Sequence, residues 1–129
     1  MRTVLLSFLL FSLLIACQSA DVGPSRLFYK TWERQPVTST GLSQLLTFRA
    51  DGQVRYGANQ AEAGCCYPDR FRFTNNQLSL LTDYAKPACA YVYCGQTDLP
   101  ADSPWQIETL SSTELIISNK DQRILFKSR

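Results

Sequence analysis

Five cysteines hold most of the reactive chemistry in this 129-residue chain, and no histidine stands beside them. Cys65 and Cys66 are adjacent, Cys89 and Cys94 lie close together further on, and Cys17 is alone near the start. Thiolates can ligate zinc, form disulfides or act as nucleophiles. Zinc sites favour Cys-x-x-Cys pairs, which neither an adjacent pair nor a wider spacing provides, so no metal is expected. Without histidine, neither a Ser-His-Asp nor a Cys-His couple can be built in its usual form. The carboxylates Asp51, Glu62, Asp69, Asp83, Asp98, Asp102, Glu108, Glu114 and Asp121 are scattered, and no pair has the spacing of an acid–base couple. There is no Gly-rich phosphate loop and no nucleophile elbow. These features lead us to expect no catalytic residue, no cofactor and no enzyme.

Cys17 belongs to a different chemistry. Residues 1–16 follow the plan of a secretory signal: Arg2 at the positive end, then an apolar run from Val4 to Ile15 broken by Ser7 and Ser12. As a helix that run reaches only ~18 Å, well short of the ~30 Å core of a bilayer, which argues against a transmembrane anchor. Leu14-Ile15-Ala16-Cys17 resembles the lipobox of bacterial lipoproteins. The resemblance implies cleavage before Cys17 and a diacylglyceryl thioether on its sulfur, with the lipid bilayer as partner. Two or more acyl chains give stable anchoring. Gln18 lacks the Asp that retains enteric-type lipoproteins on the inner membrane, so the resemblance favours the outer membrane of the bacterial cell envelope. Residues 17–25 then form a short tether containing Gly23 and Pro24, and residues 26–129 form the folded domain.

With Cys17 lipidated, an even set remains in an oxidising compartment: Cys65, Cys66, Cys89 and Cys94. Two disulfides follow. Geometry leaves both cross-bridged pairings open, provided the chain between Cys89 and Cys94 is extended or bent. A Cys65–Cys66 vicinal ring would be strained. We expect the nested set, Cys66–Cys89 inside Cys65–Cys94.

The elements that must position these residues are strands. No segment of the mature chain sustains helical periodicity, and β-rich runs alternate with turn residues at roughly ten-residue spacing. Strands are expected over 28–34, 44–50, 53–56, 70–74, 77–81, 89–94, 105–109, 113–118 and 123–127. Asp51-Gly52 and Asn75-Asn76 are the clearest hairpin turns, because these residues tolerate positive φ. Arg70 and Arg72 alternate with Phe71 and Phe73 as on a half-buried strand, rather than as a nucleobase platform. Tyr91 and Tyr93 could line a binding surface, but residues of this type more often pack on a sheet face, which is the expectation here. Successive hairpins to the C-terminus suggest an all-β, small antiparallel meander barrel of eight or so strands, with a two-sheet sandwich as the alternative.

Residues 27–32, Leu-Phe-Tyr-Lys-Thr-Trp, followed by 46–54, Leu-Thr-Phe-Arg-Ala-Asp-Gly-Gln-Val, resemble the opening of the lipocalin-like domains of bacterial lipoproteins. Trp105-Gln106-Ile107, Leu115-Ile116-Ile117 and Arg123-Ile124-Leu125 resemble their closing strands. Lys30 stands where lipocalins carry a Gly before the first-strand Trp. The resemblance implies an eight-stranded calycin barrel, a contact between Arg123 and Trp32 at one closed end, and in some members an apolar ligand. The candidate interior is Trp32, Phe48, Phe71, Phe73 and Trp105.

Charge adds a constraint: 13 basic against 11 acidic side chains give no electrostatic reason to propose nucleic acid. Two functions remain. One is a barrel that binds a small apolar ligand near the membrane. The other is a filled barrel acting as a structural or inhibitor-type protein on an envelope partner.

Overall fold

A computed structural model describes residues 23–37, 42–83, 85–95, 97–101 and 103–129. The lipobox and Cys17 lie outside the described residues. Eight strands follow in order: Thr31–Gln35 (β1), Leu45–Phe48 (β2), Val54–Tyr56 (β3), Arg70–Thr74 (β4), Gln77–Leu81 (β5), Trp105–Leu110 (β6), Glu114–Ser118 (β7) and Arg123–Ser128 (β8). The expected turns do what their residues allow. Gly52 takes φ 83°, and Asn75 and Asn76 take 51° and 61°, the left-handed values that tight β-hairpin turns require. At 119–122 the Asn119 side chain makes the turn, accepting from the Asp121 and Gln122 amides at 2.9 Å each.

All eight strands form one antiparallel sheet in the order β3-β2-β1-β8-β7-β6-β5-β4. It is a meander barrel, with the last strand returned to the first and a seam between β3 and β4. At that seam Gln53 bridges Arg70. The Val54 amide donates to the Asp69 carbonyl at 2.9 Å, and the Phe71 amide to the Gly52 carbonyl at 2.8 Å. The two edges thus cover each other, which nearly closes the sheet and limits the unpaired edge available for aggregation. One continuous sheet replaces the two of the sandwich alternative.

Strand alternation gives the barrel two ends. The tight hairpins at Asp51-Gly52, Asn75-Asn76 and 111–113 share one end, the base. The longer connections 36–44, 57–69 and 82–104, with the 119–122 turn, share the other, the rim. The first strand begins later than its β-rich sequence suggests, because Phe28 and Tyr29 lie in a turn whose amides donate to the Ser25 and Arg26 carbonyls at 3.0 and 3.3 Å. That turn sends Phe28 into the base of the barrel.

The interior is filled with rings. Phe28 stacks on Phe48 at 4.3 Å between centroids and meets Phe71 edge-on at 5.4 Å; Phe48 and Phe71 are 5.3 Å apart. Trp32 and Trp105 are fully buried. Phe71 and Phe73 face Leu80 and Leu78 across the β4–β5 hairpin, with Phe73 only half-buried against the core. Arg70 and Arg72 point outward on the same strand, as alternation requires.

One expected contact is not made. Trp32 pairs with Ser128, so Arg123 sits at the far, rim end of β8. Pleating also turns Arg123 outward, since Ile124 and Phe126 are the residues facing in. Arg123 instead donates to Glu108 at 2.6 Å. Hydrogen bonds from Ser118 and then Arg123 hold the Glu108 carboxyl below its ordinary pKa. The cation over Trp32 is Lys30, its Nζ 5.2 Å from the ring centroid and 2.7 Å from the Ser112 carbonyl at the base.

Candidate functional site

The rim gathers the long connections, and two disulfides clamp 57–69 to 82–104. Cys65 bonds Cys89 and Cys66 bonds Cys94, with Cα separations of 5.3 and 5.2 Å. This is the crossed pairing, not the nested one expected. Its physical origin lies in the 82–104 connection, which forms no strand between Cys89 and Cys94. Pro87–Cys89 is a single 3-10 turn, a place where proline is tolerated because its missing amide would be unpaired anyway. Lys86 pairs with Asp69 at 2.7 Å and draws that turn along the 57–69 connection, so that Cys89 meets Cys65. The chain bends through Ala90 and Tyr91 and returns Cys94 to Cys66.

Between the two bridges the residues Ala-Tyr-Val-Tyr project as a finger. Tyr91 and Tyr93 are 101% and 94% exposed. The expected sheet-face packing of these tyrosines therefore fails: β-propensity alone placed them on a strand, and there is no partner strand here for them to cover.

Beside the finger lies an open depression of about 720 Å³ lined by Cys66, Cys94, Asp98, Asp121, Gln122 and neighbouring small or polar residues. Asp98 is its most connected group. Arg34 donates to Asp98 Oδ2 at 2.6 Å, and the buried Ser43 hydroxyl donates to the same oxygen. Gln122 Nε2 donates to the Asp98 backbone carbonyl at 3.3 Å. Asp98 Oδ1 is buried without a hydrogen-bond partner among the described residues. The cluster ties β1, the Leu42–Gln44 turn and the β7–β8 turn to the segment that inserts the buried Leu99 into the core. Arg34 and Asp98 are 64 residues apart, so no local sequence signal could have paired them.

A second depression, of about 200 Å³, follows the β3–β4 seam. It is lined by Arg55, Arg70 and Lys86 against Glu62, Asp69 and Asp83. Arg55 pairs with Glu62 at 3.1 Å and Lys86 with Asp69, so the seam presents no single-sign field. Tyr56 lies beneath it and donates to the Pro68 carbonyl at 2.6 Å. Burial first, then the carboxylates of Asp69 and Asp98 and the neighbouring Tyr67, push its hydroxyl well above the ordinary tyrosine range. This phenol stays a donor.

The candidate interior residues are therefore brought together, but into a packed cluster. Trp105 Nε1 is buried with no hydrogen-bond partner among the described residues, whereas Trp32 Nε1 donates to the Phe28 carbonyl at 3.0 Å. Among the described residues no group of His, Cys, Asp or Glu gathers as a metal-ligand set, and no helix is long and apolar enough to cross a membrane. No protein family, curated protein or solved structure matches the chain.

Proposed function

We propose that this chain is an envelope lipoprotein, held on a membrane by lipid on Cys17, whose lipocalin-like barrel is a rigid, non-catalytic scaffold presenting its rim to an envelope partner. The observation that supports the scaffold reading is the aromatic cluster. Phe28, Phe48 and Phe71 meet ring to ring inside the barrel, in space that a hollow barrel would leave open. Pockets that hold small molecules are concave, mostly apolar and typically ~300 Å³ or more. The larger of the two described depressions is open and lies at the rim among polar and small side chains. A barrel carrying a small apolar ligand would need those rings to separate first.

Two measurements test the reading. Growth with labelled palmitate should place the label on the full chain and not on a Cys17→Ser variant; an unlabelled wild-type chain would overturn the anchor. Titration of the soluble Cys17→Ser form with cis-parinaric acid, read through quenching of Trp32 and Trp105, should give no saturable site. Stoichiometric, saturable binding would replace the scaffold with a carrier.

A further inference from the structure

The finger between Cys89 and Cys94 has features that the barrel's stability does not require. Tyr91, Val92 and Tyr93 are exposed by 101%, 47% and 94% and form a continuous run. Single exposed apolar residues are ordinary on protein surfaces, whereas a cluster of them calls for a partner. Among the described residues from 83 to 97 none is buried, so the described part of the segment carries one end of each staple yet adds no buried side chain to the core. Pinning each end of the finger to adjacent cysteines removes conformational freedom before binding, which lowers the cost of ordering an interface. Tyrosine suits the role, because it offers large rigid area and a hydrogen-bonding tip at little entropic cost.

We propose that this finger is a protein-docking element that inserts Tyr91 and Tyr93 into an uncharged, apolar-walled cleft on a folded envelope protein. Charge supports that chemistry: residues 89–95, Cys-Ala-Tyr-Val-Tyr-Cys-Gly, carry none. The backbone supports a protein rather than a bilayer. The amides of Tyr93, Cys94 and Gly95 donate to no acceptor among the described residues. Hydrocarbon cannot satisfy such groups; the backbone of a partner chain can.

Orientation points the same way, and here the inference rests on the anchored-scaffold reading. The described chain begins at Gly23, whose amide donates to the Tyr29 hydroxyl, at the base. Five residues lie between Cys17 and Gly23, so the two are at most ~22 Å apart. A lipid on Cys17 therefore keeps the base within that distance of the bilayer, and on the anchored-scaffold reading the rim is the end left facing away. A second copy of the chain is a poor host for the finger. The smaller described depression is lined mainly by charged side chains and the larger carries Asp98 and Asp121 among small residues, so neither is an uncharged cleft, and Leu27, Val37 and Leu81 come from separate segments.

The test uses the full chain in the cells that encode it. Photo-reactive benzoylphenylalanine replaces Tyr91 or Tyr93, with the outward Arg72 on the barrel wall as the control site. The expected result is one protein adduct, identified by mass spectrometry, from positions 91 and 93 and not from 72. The identified protein, once purified, should bind the soluble Cys17→Ser form. Tyr91→Ala and Tyr93→Ala should each weaken binding roughly 30-fold or more, as interface hot spots do, while Arg72→Ala leaves it within about twofold of the parent. Adducts to lipid alone, adducts to a second copy alone, no adduct, or an affinity indifferent to both tyrosines would each overturn the proposal. Palmitate labelling in the same cells separates the two readings. A labelled chain without an adduct rejects the finger, and an unlabelled chain with the adduct rejects the anchor while keeping the docking element.

Discussion

Single residues carry two of the sharper consequences. Tyr56 is buried and donates to the Pro68 carbonyl, and the folded state holds its proton more tightly than the unfolded chain does. Its stabilising contribution is therefore complete below about pH 10, where an unfolded tyrosine begins to ionise, and is lost as the pH rises further. In a spectrophotometric titration of the six tyrosines, Tyr56 should ionise only as the barrel unfolds. Tyr56→Phe leaves the buried Pro68 carbonyl unpaired and should cost about 1–3 kcal/mol in denaturant melts, with a shallower alkaline loss; unchanged stability on both counts would contradict this role. The cysteine pairing is equally direct. A Cys65→Ser variant should expose a free thiol at Cys89, detected by alkylation and peptide mapping, whereas the nested set would free Cys94.

At the scale of elements, the strands hold where each residue's local preference and its tertiary surroundings agree. Arg70–Thr74 and Gln77–Leu81 form at their expected bounds, because strict alternation and an Asn-Asn turn specify the same hairpin. Asp51-Gly52 works for the same reason. The 28–30 and 89–94 segments have β-rich composition, but Phe28 and Tyr29 are held in a turn and 89–94 forms no strand, so composition alone does not place them. Phe28 becomes a plug and residues 89–94 become a clamped loop. Phe28→Ala tests the plug. Removing a fully buried ring that touches Phe48 and Phe71 should cost about 3–5 kcal/mol, and the vacated space should admit an apolar probe that the parent excludes. A loss under about 1 kcal/mol, of the size seen at exposed sites, would mean the base is not closed by that ring. The disulfides act on the unfolded chain. Each links residues 24 or 28 apart, and loop closure at that length stabilises by about 2–4 kcal/mol, less for the second bridge. Reduction should therefore lower Tm while leaving the strands in place, measured by far-ultraviolet circular dichroism; collapse of the sheet on reduction would show that the rim clamps are required for folding itself.

The whole molecule is polar in its organisation. Short hairpins and residues 23–30 make the base, while long stapled connections make an elaborate rim. Barrel architecture was legible in the sequence because it arises from alternation and turns, both local in the chain. Arg34–Asp98, the crossed disulfides and the Gln53–Arg70 seam were not, because each joins residues that are distant in sequence and share no periodic pattern. The barrel interior is occupied by the protein's own rings, and the docking function proposed above lies at the rim. Native mass spectrometry of the soluble Cys17→Ser form tests the filled interior most directly. The expected result is a bare chain, lighter than its fully reduced mass by the four hydrogens of two disulfides. A stoichiometric lipid mass riding on the folded protein would contradict it.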